Sequence, residues 1–157
     1  MNLIMKIEDI TIEHFNRSIN NENITVEMWD EEVLLQTDIY FYTENHDISP
    51  FIEEIKYRLI RFNQDRNLVL QNIIDEGYLQ TAETWAEDSK ITLPISKEKF
   101  LESFCPFEIG FCIGNLEDEP NVMVYLGSDV EYFSDHVLCC YIMKKNNQIE
   151  YKSVLEG

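Results

Sequence analysis

Apolar and polar positions along this chain fall into three zones with two different periods. In residues 1–48 they alternate. Ile24, Val26 and Met28 lie on one side, with Thr25 and Glu27 on the other. Val33, Leu35, Thr37, Ile39 and Phe41 then oppose Leu34, Gln36, Asp38, Tyr40 and Tyr42. Period two belongs to a strand with one strongly apolar face. Trp29-Asp30-Glu31-Glu32 between the two runs suits a hairpin connection. A further strand is expected around Ile7–Ile12.

Residues 49–105 switch to helical spacing. Ser49-Pro50 is a start signal, a hydroxyl at the cap followed by a proline whose missing N–H costs nothing there. Ile52, Ile55, Leu59, Phe62, Val69 and Ile73 form an apolar stripe. Asn63-Gln64-Asp65 and Gly77 are expected to break it into separate helices. Leu79, Ala82, Trp85 and Ala86 continue it. Pro94 ends regular structure, and Ser96 caps a short helix through Phe104, closed by Pro106.

Residues 106–157 return to period two. Phe107, Ile109, Phe111 and Ile113 oppose Glu108, Gly110, Cys112 and Gly114; Val122, Val124 and Leu126 oppose Asn121, Met123 and Tyr125. Residues 137–143 are apolar on both faces and read as a central strand. Lys145-Asn146-Asn147 is a tight turn into a last strand, Gln148–Val154. Strands before and after a helical block imply an α+β fold: a largely antiparallel sheet from the N- and C-terminal strands, with three to four central helices on one face. The length, 157 residues, is that of a single domain, 1–157.

Charge sharpens this picture. Lys and Arg total 12 against 30 Asp and Glu, a net −18. Phosphate would be repelled, so nucleic acid is not an expected ligand, and an anionic membrane surface is disfavoured. The field comes mainly from the outer zones: residues 1–48 carry 11 acids and 2 bases, whereas residues 49–105 carry 10 and 7. Such a field serves solubility, or it draws in a cationic partner. No run approaches the roughly 18 apolar residues of a membrane span, and Met1–Phe15 lacks the form of a signal peptide. Cys105, Cys112, Cys139 and Cys140 include no C-x-x-C and read as small hydrophobes of a reducing, bacterial-type cytoplasm.

Candidate chemistry is sparse. Ser134-Asp135-His136 with Cys139 and Cys140 holds the ingredients of a catalytic triad. In an extended strand, though, His136 and Cys140 would sit about 13 Å apart at roughly 3.3 Å per residue. A turn would relax that objection, so a small hydrolytic or small-molecule enzyme using Asp135 and His136 stands as the alternative reading. His14 and His46 lack paired metal ligands. Glu117-Asp118-Glu119 lacks the calcium-loop pattern and reads as a solvated turn before Pro120. No phosphate cradle occurs, and no metal or cofactor is expected. Surface recognition remains. Asp38 with Tyr40 and Tyr42 pairs an acid with aromatic anchors on one strand face, and Glu131 and Asp135 flank aromatics in Asp129–Asp135. Rings supply anchoring area and carboxylates steer a basic protein partner. The competing reading covers the Tyr40 face with another element and makes its tyrosines core.

The segment Glu131-Tyr132-Phe133-Ser134-Asp135-His136-Val137 opens a late strand, and Leu155-Glu156-Gly157 closes the chain. Trp85 and the Lys99-Phe100-Leu101 helix stand upstream. In these features, over residues 24–157 and above all 96–157, the chain resembles a bacterial domain-of-unknown-function family of small acidic α+β proteins. That family is similar to immunity proteins of bacterial toxin systems. The resemblance implies a cytoplasmic, non-enzymatic binding role and supplies no catalytic residue.

Overall fold

The structure, a computed structural model, describes residues 4–20, 22–35, 49–86, 90–112 and 119–157. Strand β1, Met5–Lys6, leads through a turn of 3-10 helix, Ile7–Asp9, into helix α1, Ile12–Ile19. The strand expected around Ile7–Ile12 is therefore mostly helix. Ile12, Phe15 and Ile19 recur at helical spacing, and His14 takes the place of the usual Glu in a capping box: the Thr11 N–H donates to His14 Nδ1 at 2.9 Å.

Hairpin β2, Ile24–Met28, and β3, Glu31–Leu35, turns through Trp29 and Asp30, both at positive φ. That conformation suits a two-residue hairpin but is costly for a bulky residue. Packing offsets the cost. The Trp29 N–H donates to Asn63 Oδ1 at 2.9 Å, and its indole N–H donates to the Phe62 carbonyl at 3.2 Å. Its ring stacks on Phe62 with centroids 4.8 Å apart.

The middle of the chain follows its spacing closely. A 3-10 turn at Ser49–Phe51 opens α2, Ile52–Gln64; α3, Arg66–Asp75, follows the expected break. Gly77, at φ 84°, opens α4, Tyr78–Thr84. Helix α5, Lys97–Glu102, is capped by Ser96, whose hydroxyl accepts from the Lys99 N–H. Strands β4, Phe104–Cys112, β5, Asn121–Ser128, β6, Val137–Lys145, and β7, Gln148–Glu156, complete the described elements.

The seven strands lie side by side in chain order, β1 to β7. The sheet is mixed rather than largely antiparallel. β1 pairs with β2, and β3 with β4, in parallel. At both places described helices intervene between the adjacent strands, and a crossover that carries the chain back to the opposite end of the sheet makes its strands parallel. The other neighbouring pairs are antiparallel. Asn146 and Asn147, both at positive φ, form the β6–β7 turn as expected. β6 is paired on both sides but lies next to the edge strand, not at the centre.

Helices meet strand residues of one parity. Phe15 of α1 packs edge-on against Phe111 at 5.3 Å. Phe62 of α2 meets Tyr151 at 6.0 Å, and Phe100 of α5 meets Phe104 at 4.9 Å. The helical stripe Ile55, Leu59, Phe62, Val69 and Ile73 is fully buried against Val26, Val33, Val124 and Ile142. Each such side chain contributes roughly 1.5–3 kcal/mol by apolar burial. Arg58 of α2 is buried to 3 % exposure and clamps this layer to the sheet. It donates to the carbonyls of Pro120 at 2.7 Å and Ile142 at 3.3 Å, and to the carboxylates of Glu54 at 3.0 Å and Glu119 at 2.8 Å. Glu119, expected in a solvated turn, is thus a counter-ion. On the edge strand, Ser153 N–H donates to Glu76 at 3.1 Å, and Tyr78 Oη donates to the Ser153 carbonyl at 2.7 Å.

Candidate functional site

Among the described residues, no helix packs across the other face of the sheet, which we call the outer face. Its composition follows from one irregularity. Pro106 pairs with Leu126 and Glu108 with Tyr125, leaving Phe107 as an extra residue in a β-bulge. The bulge resets the alternation, so Phe104 and Pro106 join Ile109 and Phe111 on the covered face. Phe107, expected on the apolar core face, is instead 42 % exposed. Pro106 lies inside β4 rather than closing a helix, because a bulge tolerates its missing N–H.

Cross-strand register places Leu34, Glu108, Tyr125, Cys139 and Val154 in one row of the outer face. Gly110, Met123, Tyr141 and Lys152 form the next. Two glycines let larger side chains lie close to the sheet. A Cβ on Gly110 would stand 3.3 Å from Met123 Cγ, and one on Gly127 would stand 3.1 Å from Phe107 Cδ1. Phe107 in turn meets Tyr125 at 6.2 Å.

At the centre, Tyr141 Oη donates to Glu156 Oε1 at 2.6 Å, and the Tyr125 hydroxyl, which feels the charge of the same carboxylate, donates to Met123 Sδ at 3.8 Å. These groups roof Cys139, which has no exposed surface although it lies outside the main core. Burial, with the charges of Cys139, Glu156 and Glu108, pushes the Tyr125 hydroxyl up to about 12. The Glu156 hydrogen bond, then burial, pushes Tyr141 up as well. Burial pushes the Cys139 thiol up to about 12, with Glu156 adding to it. Cys140, on the covered face, is raised chiefly by burial. Neither thiol is a ready nucleophile at neutral pH, since the thiolate is the reactive form.

Carboxylates crowd this face. Glu27 and Glu32 stand directly opposite each other across β2 and β3. Like charges in that position destabilise a sheet. Glu108, Glu150 and Glu156 share the face by register, against Lys145 and Lys152. Beyond Phe107, a groove of about 650 Å³ continues the face towards α5. Phe107, Gly127, Val130 and Tyr132 line it, with Glu102 and Asp129.

The residues singled out from sequence are distributed unevenly. Asp38, Tyr40 and Tyr42 lie outside the described residues; Leu34, which opens their alternation, is on the outer face. Glu131 and Asp135 are exposed on the loop before β6, but the aromatics between them are not surface anchors. Tyr132 and Phe133 are buried against Phe100 and Phe104. Ser134-Asp135-His136 forms a turn, with the His136 N–H donating to the Phe133 carbonyl at 3.0 Å. The His136 ring lies 5.6 Å from Trp85. Among the described residues, no hydrogen bond joins that ring to Asp135, Ser134 or either nearby cysteine. No group of three or more His, Cys, Asp or Glu among them is arranged to hold a metal ion, and no described helix is long and apolar enough to cross a membrane. The cluster of Tyr125, Tyr141, Cys139 and Glu156 escaped sequence reasoning. Its signal was polar-aromatic residues at alternate positions in paired strands.

Together these features define an α+β protein with a mixed sheet, one face closed by helices and the other aromatic and acidic. No family model, curated protein or solved structure gives a significant match to the chain.

Proposed function

We propose that this chain is a non-enzymatic binding module that takes up a basic protein partner on the outer face of its sheet. The observation that carries this reading is the composition of that face. Phe107, Met123, Tyr125 and Tyr141 offer semi-exposed anchoring area among Glu27, Glu32, Glu108, Glu150 and Glu156, on a chain of net charge −18. Large side chains with a polar tip anchor interfaces, and surrounding charge of one sign steers an oppositely charged partner. The opposed pair Glu27 and Glu32 favours the same conclusion, because a cation would relieve its repulsion. A cytoplasmic immunity-like role, neutralising a basic toxin, is the biological setting this chemistry fits.

The test immobilises the purified protein, passes lysate of its source cells over it at about 50 and 500 mM salt, and identifies what is retained. The expected result is a basic protein held at low salt and released at high salt. Its retention should fall when Met123 and Tyr141 are both replaced by Ala. Retention indifferent to salt and to these substitutions would overturn the reading.

A further inference from the structure

We propose that the groove beside Phe107 is the anchor pocket of this face and takes an arginine side chain of the basic partner. The inference rests on the proposed binding role and adds the chemistry of one contact. Its volume, about 650 Å³, lies within the roughly 300–1,000 Å³ of small-ligand clefts. Phe107, Val130 and Tyr132 give it apolar surface, and Lys99, Glu102, Ser103, Ser128 and Asp129 place polar groups around it. Phe107 and Val130 are 42 % and 37 % exposed, more than most large apolar residues among those described. Phe107 is held at this position by the bulge, and Gly127 beneath it leaves the room its ring needs.

Charge decides the occupant. Glu102 and Asp129 line the groove with the cation Lys99, and Arg66 reaches the Cys105 wall with its charge. Glu31 stands behind its wall, accepting from the Cys105 thiol at 3.7 Å. A planar guanidinium can stack on the Phe107 ring while its fork of N–H donors reaches carboxylate oxygens. A compact ammonium cannot do both as well. A second copy of this chain, also at −18, would be repelled. Covalent chemistry on Cys105 is disfavoured, because burial and the Glu31 carboxylate hold its thiol in the protonated form.

The probe is N-acetyl-arginine amide, titrated into isotope-labelled protein and followed by amide chemical shifts, with N-acetyl-citrulline amide as its neutral isostere. Saturable shifts should centre on Gly127, Ser128 and Asp129, with citrulline binding at least fivefold more weakly. Asp129→Asn and Glu102→Gln should each weaken arginine binding about twofold or more, and Lys99→Gln should tighten it. The folded amide spectrum of each variant separates lost binding from lost structure. Equal binding of citrulline would overturn the proposal by showing an apolar groove without charge selection. Unsaturating shifts spread over the acidic surface would overturn it by showing diffuse attraction only. Either failure leaves the salt-dependent capture experiment standing. Conversely, a saturable arginine site without any captured basic protein would uphold the groove and remove the broader role.

Discussion

The two faces of this sheet are built from the same strands, residue by alternate residue, and they differ in nearly every physical respect. The covered face carries Val26, Val33, Phe111, Val124 and Ile142, each almost fully buried under helices. The outer face carries Leu34, Phe107, Met123, Tyr125 and Tyr141, all partly exposed and interleaved with carboxylates. One side is closed by tertiary packing; among the described residues, the other is covered only in part, by its own side chains lying near Gly110, Gly127 and Cys139. Alternation in a strand thus encodes two surfaces of different character. Substitutions at neighbouring positions should separate stability from the proposed binding.

The largest effect is expected on the covered face. Phe111→Ala removes a ring that meets Phe15 beneath α1, and should cost about 3–5 kcal/mol in equilibrium denaturation. Met123→Ala, directly across the β4–β5 pairing from Gly110, should cost about 1 kcal/mol or less. Equal losses would erase the distinction between the faces.

Next comes the device that joins helices to sheet. Arg58→Ala leaves Glu54 without its buried cation and the carbonyls of Pro120 and Ile142 without their guanidinium donor. Removing one member of a buried, hydrogen-bonded charge cluster should cost about 3 kcal/mol. Urea denaturation gives the value. A loss below about 1 kcal/mol would mean that water replaces the guanidinium, and that the covered face is less dry than its packing indicates.

Much of the covered face was legible in the chain, because it depends on local periodicity. Ile55, Leu59, Phe62, Val69 and Ile73 announce their burial by spacing alone, and Gly77 and Ser96 announce helix boundaries. Three features were not legible, each because it depends on something that period counting cannot see. Strand direction at β3–β4 depends on where the helical crossover returns. The exposure of Phe107 depends on one unpaired residue in the ladder. The pairing of Arg58 with Glu119 joins residues far apart in the chain. The outer-face cluster failed to show itself for the same reason. Tyr125, Tyr141 and Glu156 meet only through register, whereas the more conspicuous run Glu131–His136 buries its aromatics and leaves its acids apart from them.

A smaller effect should appear at the centre of the outer face. Tyr141→Phe removes the hydrogen bond to Glu156 and should cost about 0.5–1.5 kcal/mol at neutral pH. The same site makes a statement about alkaline pH. The Tyr125 hydroxyl and the Cys139 thiol are both held protonated in the folded state, each up to about 12, from ordinary values of 10.0 and 9.0. Groups with raised folded values bind protons more tightly when folded. Their stabilisation is complete below pH 9, and it is lost as pH rises through 12. Melting temperature should be level up to about pH 9 and then fall, and Cys139→Ala should flatten the first part of that fall. A stability rising from pH 9 to 11 would contradict the protonated cluster.

The smallest effect expected is that of Gly127→Ala, and it tests whether the outer face yields where the covered face resists. The new Cβ would stand 3.1 Å from Phe107 Cδ1, closer than ordinary contact, so one of the two must move. In a packed interior such crowding typically costs 1–3 kcal/mol, because no neighbour has room to give way. Phe107 is 42 % exposed and can swing towards solvent. Its backbone is also freed from regular pairing by the bulge. The added methyl group should therefore cost less than about 0.5 kcal/mol, within the range of ordinary surface substitutions. The ring should still move, and a changed proton shift for Phe107 with an almost unchanged melting temperature is the expected pair of results. A loss near 2 kcal/mol would show that Phe107 is wedged in place, and that the outer face is a second core rather than a surface able to adjust to a partner.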